Sequence, residues 1–82
     1  MYLEILTPET NFYSGEVDSI TLPGTLGSFQ ILNHHAPIIS SLTHGMLSFS
    51  ADGLIREMEV VDGFVEMNNN KVTICLDTIK GR

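Results

Sequence analysis

The chain has 82 residues, a formal net charge of −6, a hydrophobic fraction of 43% and a charged fraction of 17%, values that suit a single folded domain and exclude a disordered tail. Lys and Arg occur only at positions 56, 71, 80 and 82, which excludes the basic stripe that nucleic acid or an anionic lipid surface requires. No run reaches the ~20 apolar residues needed to span a bilayer, and the single cysteine, Cys75, has no internal disulfide partner, in keeping with a reducing compartment. A domain of this length buries only about 60 to 65% of the surface its unfolded chain exposes, so its core is thin and support from a partner is expected.

Met1 begins no basic, signal-like segment: Glu4 interrupts the first apolar run, and no signal peptide is expected. Tyr2 to Leu6 reads as a strand, and Thr7, Pro8 and Glu9 turn the chain into Asn11 to Tyr13. Gly15 to Leu22 reads as a longer strand whose apolar parity slips between Val17 and the pair Ile20 and Leu22, which predicts a β-bulge near Asp18. Gly24 and Gly27 bracket a tight corner in which glycine tolerates positive φ. Phe29 and Ile31 then alternate toward a core until His35, Ala36 and Pro37, where Pro37 lacks a donor and pushes Ala36 toward extended geometry.

Ile38 to Leu42 and Met46 to Ser50 follow, joined through His44 and Gly45, and Ala51, Asp52 and Gly53 predict a hairpin turn into Leu54 to Val61. Phe64 to Met67 and Lys71 to Asp77 form a last hairpin around Asn68, Asn69 and Asn70, whose side chains tolerate left-handed backbone. Residues 78–82 read as a frayed tail. Helical spacing is absent almost everywhere, so the predicted fold is all-β: a two-layer antiparallel β-sandwich of about 8 to 10 short strands. It forms one domain over 1–82, with its ordered core over 1–77. Phe29 and Phe64 are expected inside it, where truncation to Ala costs about 3 to 5 kcal/mol.

Reactive chemistry finds little footing in these residues. His34 and His35 are neighbours that point to opposite sides of an extended chain, and His44 has no ligand partner at useful spacing, so no metal is expected. His35 reads instead as a residue whose ring bonds backbone in the corner or touches a partner directly. Pro23 to Gly27 lacks the Gly-Lys-Ser/Thr ending of a phosphate loop, and no nucleophile elbow is present, so neither cofactor nor catalytic residue is expected. Glu57 with Glu59, and Glu16 with Asp18, read as solvated strand faces.

The spaced set Gly15, Pro23, Gly24, Gly27, Ile31, His35, Ala36, Pro37 and Gly45, followed by Asp62, Gly63 and Phe64, resembles the N-terminal β-sandwich domain of the F-type ATP synthase epsilon family, whose mitochondrial equivalent is called delta. The resemblance runs from about Tyr2 to Asp77. His34 stands where the family often has Gly, Ser28 where an acid is common, Gln30 where Gly is common, and Asp62 in place of the first Gly of a pair.

The resemblance implies a non-catalytic rotor subunit that holds the gamma subunit in register with the membrane c ring, as a peripheral part of the synthase on the cytoplasmic face of a bacterial plasma membrane. It implies gamma-facing positions at Thr7, His35, Ser40 and Thr43, and c-ring-facing positions at Leu26, Ser28 and Gln30. Many members continue into an inhibitory helical hairpin; a short form without it, binding no ATP and monomeric in isolation, is the expectation here. The alternative is an unrelated β-sandwich adaptor that captures a peptide by strand addition along an edge free of Lys.

Overall fold

Every-second-residue burial organises the molecule: Leu3 and Ile5, Ile20 and Leu22, Leu47 and Phe49, Val65 and Met67, and Val72, Ile74 and Leu76 all turn inward, the period-2 signature of strands with one buried face. The structure, a computed structural model, describes the backbone of residues 1–79 and the side chains of residues 1–77. Its strands are β1 (Tyr2–Leu6), β2 (Asn11–Glu16), β3 (Ser19–Gly24), β4 (Gly27–Leu32), β5 (Ile38–Leu42), β6 (Gly45–Ala51), β7 (Leu54–Asn68) and β8 (Lys71–Ile79). Hydrogen bonding runs in the order β2-β1-β8-β7-β5-β3-β4, and β6 pairs with both β3 and β7.

The strand β7 belongs to both layers of the sandwich. Its first half, Leu54 to Val60, pairs with β6, and its second half, Gly63 to Met67, pairs with β5. The change falls where register with β8 slips, between Val60 and Gly63, the kind of irregularity by which a strand passes from one sheet to another. Gly63 sits there at φ 152°, and a Cβ on it would press into the Cys75 carbonyl oxygen. Expected as two strands, 54–61 and 64–67 are therefore one bent strand. Asp62, beside it, avoids positive φ.

Other expectations are corrected at particular residues. Gly15 to Leu22 is two strands rather than one bulged strand, because the Val17 N–H leaves the ladder for the Met1 carbonyl at 2.9 Å and the Asp18 N–H for the Ser50 carbonyl at 2.7 Å. The sandwich is not antiparallel throughout: β1 lies parallel to β8, with Leu3 beside Val72 and Ile5 beside Ile74. β8 continues through Ile79, into the expected tail, and 80–82 lie outside the described residues. Phe29 is half-buried against the core and Phe64 is 46% exposed. With Val65 and Met67 inward, strand parity turns Phe64 out.

The turns follow their sequence. Asp52 (φ 53°) with Gly53 (φ 78°) and Asn69 (φ 53°) with Asn70 (φ 59°) close two-residue hairpins in left-handed backbone, the combination a type I′ turn requires. At the β3–β4 corner only Gly27 has positive φ. Gly24 is demanded by space instead, since a Cβ there would come within 2.8 Å of the Gly27 carbonyl oxygen and the Phe29 ring. Among the described residues the core is wholly apolar, with no buried polar or charged side chain, each fully buried Leu or Ile contributing about 1.5 to 3 kcal/mol of transfer free energy. Arg56 closes one rim, its guanidinium 5.4 Å from the Tyr13 ring centroid and 5.8 Å from that of Phe49, a cation–π arrangement.

Candidate partner-binding surfaces

Two outer surfaces, built from side chains that do not enter the core, carry or adjoin the residues expected to meet partners. On the first, cross-strand register sets Ser41, Phe64, Cys75 and Leu6 in one row, and Ile39, Glu66, Thr73 and Glu4 in the next. Ile39 is 76% exposed and Phe64 46%, and the two are diagonal neighbours across β5 and β7, close enough for large side chains to touch. Leu6 and Cys75 are half-buried beside them. Two partly exposed apolar side chains side by side on a regular sheet face offer an apolar contact to a protein partner.

The residues expected to face gamma frame this surface without forming one cluster. Thr7 follows β1 in a turn where its N–H and hydroxyl both donate to the Thr10 carbonyl, at 2.9 and 3.3 Å. Thr43 follows β5 past the same end of the sheet, its N–H donating to the Pro23 carbonyl at 2.9 Å. His35 lies exposed at the opposite end, before β5, with Nδ1 2.8 Å from the Ala36 carbonyl oxygen, a contact that an Nδ1–H donates; the ring thus bonds backbone in the corner. Ser40 lies between these ends on the inward side of β5, paired with buried Val65, and its hydroxyl donates to the Ser41 carbonyl at 3.1 Å.

Neither Ile39 nor Phe64 is among the residues expected to face gamma, Phe64 being expected in the core. The parity of Val65 and Met67 fixes Phe64 on the opposite side, whereas Ile39 joins it only through the β5–β7 register, which no local pattern prints.

The second surface is the β3–β4 hairpin, and here the expected residues do come together. Leu26 is fully exposed at the tip, and Ser28 and Gln30 follow at alternate positions of β4, both exposed, opposite Pro23 and Thr21. Leu32, 52% exposed, continues the line. Among the described residues β4 pairs with β3 alone, so it is an edge strand, and its sequence carries no charge. A salt bridge from this hairpin has no donor or acceptor; contact must rest on apolar groups, hydroxyl, amide and backbone.

Elsewhere the ionisable side chains cover surface. His44 Nε2 lies 2.8 Å from Glu59 Oε2 on the outside of β7, and Glu16, Asp18 and Glu57 are exposed. Among the described residues no group of three or more His, Cys, Asp or Glu lies together to hold a metal, and no helix is long and apolar enough to cross a membrane.

The family model described as the ATP synthase delta/epsilon chain β-sandwich domain matches residues 1–81. The chain belongs to that family. An ATP synthase epsilon chain of Desulfitobacterium hafniense is 40% identical over 76 residues, covering 93% of this chain and 58% of that one. The epsilon chain of Geotalea daltonii is 41% identical over 76 residues, covering 93% and 55%. The chain thus spans little more than half the length of these relatives.

Solved structures agree on the fold. A chain in the Euglena gracilis mitochondrial ATP synthase (OSCP/F1/c-ring) superimposes with a TM-score of 0.88 at 20% identity, over 94% of this chain and 50% of that one. One in the central stalk and c-ring of the Tetrahymena thermophila mitochondrial ATP synthase gives 0.82 at 16% identity, over 95% and 63%. The family match displaces the unrelated peptide adaptor.

Proposed function

We propose that the chain is a non-catalytic rotor subunit of an F-type ATP synthase, joining the gamma subunit to the membrane c ring while torque passes between ion flow and nucleotide sites on other subunits. The observation that carries this reading is the family match over residues 1–81, supported by relatives named as ATP synthase epsilon chains and by structural neighbours from a c-ring assembly and a central stalk. The Ile39 and Phe64 face, framed by Thr7, His35 and Thr43, takes gamma; Leu26, Ser28 and Gln30 meet the ring. Ser40 supports the first surface from the inner side of β5.

A two-layer sheet packed at interior density deforms little, so it transmits rotation without losing register. The position is peripheral, on the cytoplasmic face of a bacterial plasma membrane, with the other subunits supplying the membrane anchor. In membranes depleted of this chain, ATP hydrolysis should continue while ATP-driven ion pumping falls, and added chain should restore pumping. Pumping that persists at full rate after depletion overturns the assignment.

A further inference from the structure

His34 holds φ 63° immediately before the corner His35-Ala36-Pro37, a left-handed backbone that a residue with a Cβ adopts only with support. The support comes from across the fold. The His34 N–H donates to the Asn70 side-chain oxygen at 2.8 Å, spanning 36 positions of sequence. Asn70 is itself fixed: it occupies the left-handed turn that closes β7 onto β8, and its carbonyl accepts the Tyr2 N–H at 3.1 Å. One half-buried residue therefore ties the last hairpin, the first strand and the corner together. The corner's other anchor is local, the His35 N–H donating to the Leu32 carbonyl at 3.2 Å.

We infer that Asn70 is a positioning residue for the gamma-facing surface: its side-chain oxygen holds His34 in left-handed backbone and thereby sets where His35 and the start of β5 are presented. The inference rests on the proposed rotor function. Without the acceptor, the corner occupies its binding geometry only part of the time, and apparent affinity falls in proportion to that fraction. Asn70 must also tolerate positive φ, so Ala is a poor probe at this position. Asn70→Gly removes the acceptor and keeps the backbone permissive, whereas Asn70→Asp keeps an acceptor oxygen at the same place.

The test measures dissociation constants of the full chain and its variants for the isolated cognate gamma subunit. Asn70→Gly should weaken binding about three- to tenfold, the span expected for one lost hydrogen bond, and Asn70→Asp should bind within about twofold of the parent. Introducing His34→Gly should shrink the effect of Asn70→Gly, because glycine holds positive φ unaided; this coupling is a readout that general destabilisation does not produce. Equal binding by the parent and Asn70→Gly, or an undiminished loss in the His34→Gly background, overturns the inference. If the parent itself does not bind gamma, the rotor reading fails. The positioning claim is then decided by the φ-sensitive three-bond coupling of His34 in solution, which should change in Asn70→Gly and stay unchanged in Asn70→Asp; no change in either overturns it.

Discussion

The β5–β7 face and the β3–β4 hairpin tip both leave apolar side chains in water, yet they are built in opposite ways. Ile39 and Phe64 stand on strands paired on both sides or backed by buried Val65 and Met67, so their positions are set by the core. Leu26 stands on a corner of an edge hairpin, with open space around Gly27 beside it. The first surface is rigid because the core holds the strands that carry it; the second ends in an exposed tip. On the proposed rotor reading, that division grips one partner on a fixed face and meets the other through a hairpin whose chemistry can vary.

The two glycines that shape these regions give the largest expected contrast. Gly63→Ala adds a Cβ against the Cys75 carbonyl and Leu76 at positive φ, and should lower stability by about 3 kcal/mol or more. Gly27→Ala meets no atom within 4 Å, leaving only the strain of its positive φ, on the order of 1 to 3 kcal/mol. Chemical denaturation of both variants checks the order, and equal losses would erase the distinction between the regions.

The core and its outer face separate next. Ile74→Ala should cost about 2 to 5 kcal/mol, whereas Phe64→Ala, with its ring 46% exposed, should cost below about 1.5 kcal/mol. A loss at Phe64 as large as at Ile74 would place the ring in the core after all. The smallest stability effects belong to charge placed on the surfaces. Ile39→Glu and Leu26→Glu should each shift unfolding by about 0.5 kcal/mol or less, while Ile39→Glu weakens gamma binding tenfold or more, as for loss of an apolar anchor of about 1.4 kcal/mol. Leu26→Glu should leave gamma binding unchanged; a matching loss there would merge the surfaces into one.

Much of this was legible in the residues, because local turn chemistry and period-2 alternation act over a few positions. Asp52-Gly53, Asn69-Asn70 and the Pro37 stop all lie where their backbone preferences put them. Leu26, Ser28 and Gln30, which only the family resemblance singles out, lie at alternate positions along the hairpin. What escaped depends on distant partners. The parallel pairing of β1 with β8 joins the two ends of the chain, the break at Val17 and Asp18 depends on carbonyls of Met1 and Ser50, and the passage of β7 between layers depends on Cys75 beside Gly63. Alternation places Phe64 inside when it is counted from the wrong residue; the inward parity of Val65 and Met67 turns it out. The four positions expected to face gamma share no local pattern at all, being spread over a turn, a corner, a strand and a strand end.

Site-specific crosslinking tests the two-surface account most directly. In a Cys75→Ser background, a photoactivatable probe on Ile39→Cys and the same probe on Leu26→Cys are placed, one at a time, in the assembled synthase, and the crosslinked subunit is identified. The account predicts gamma from position 39 and the c subunit from position 26; capture of the c subunit from 39, of gamma from 26, or of neither would contradict it.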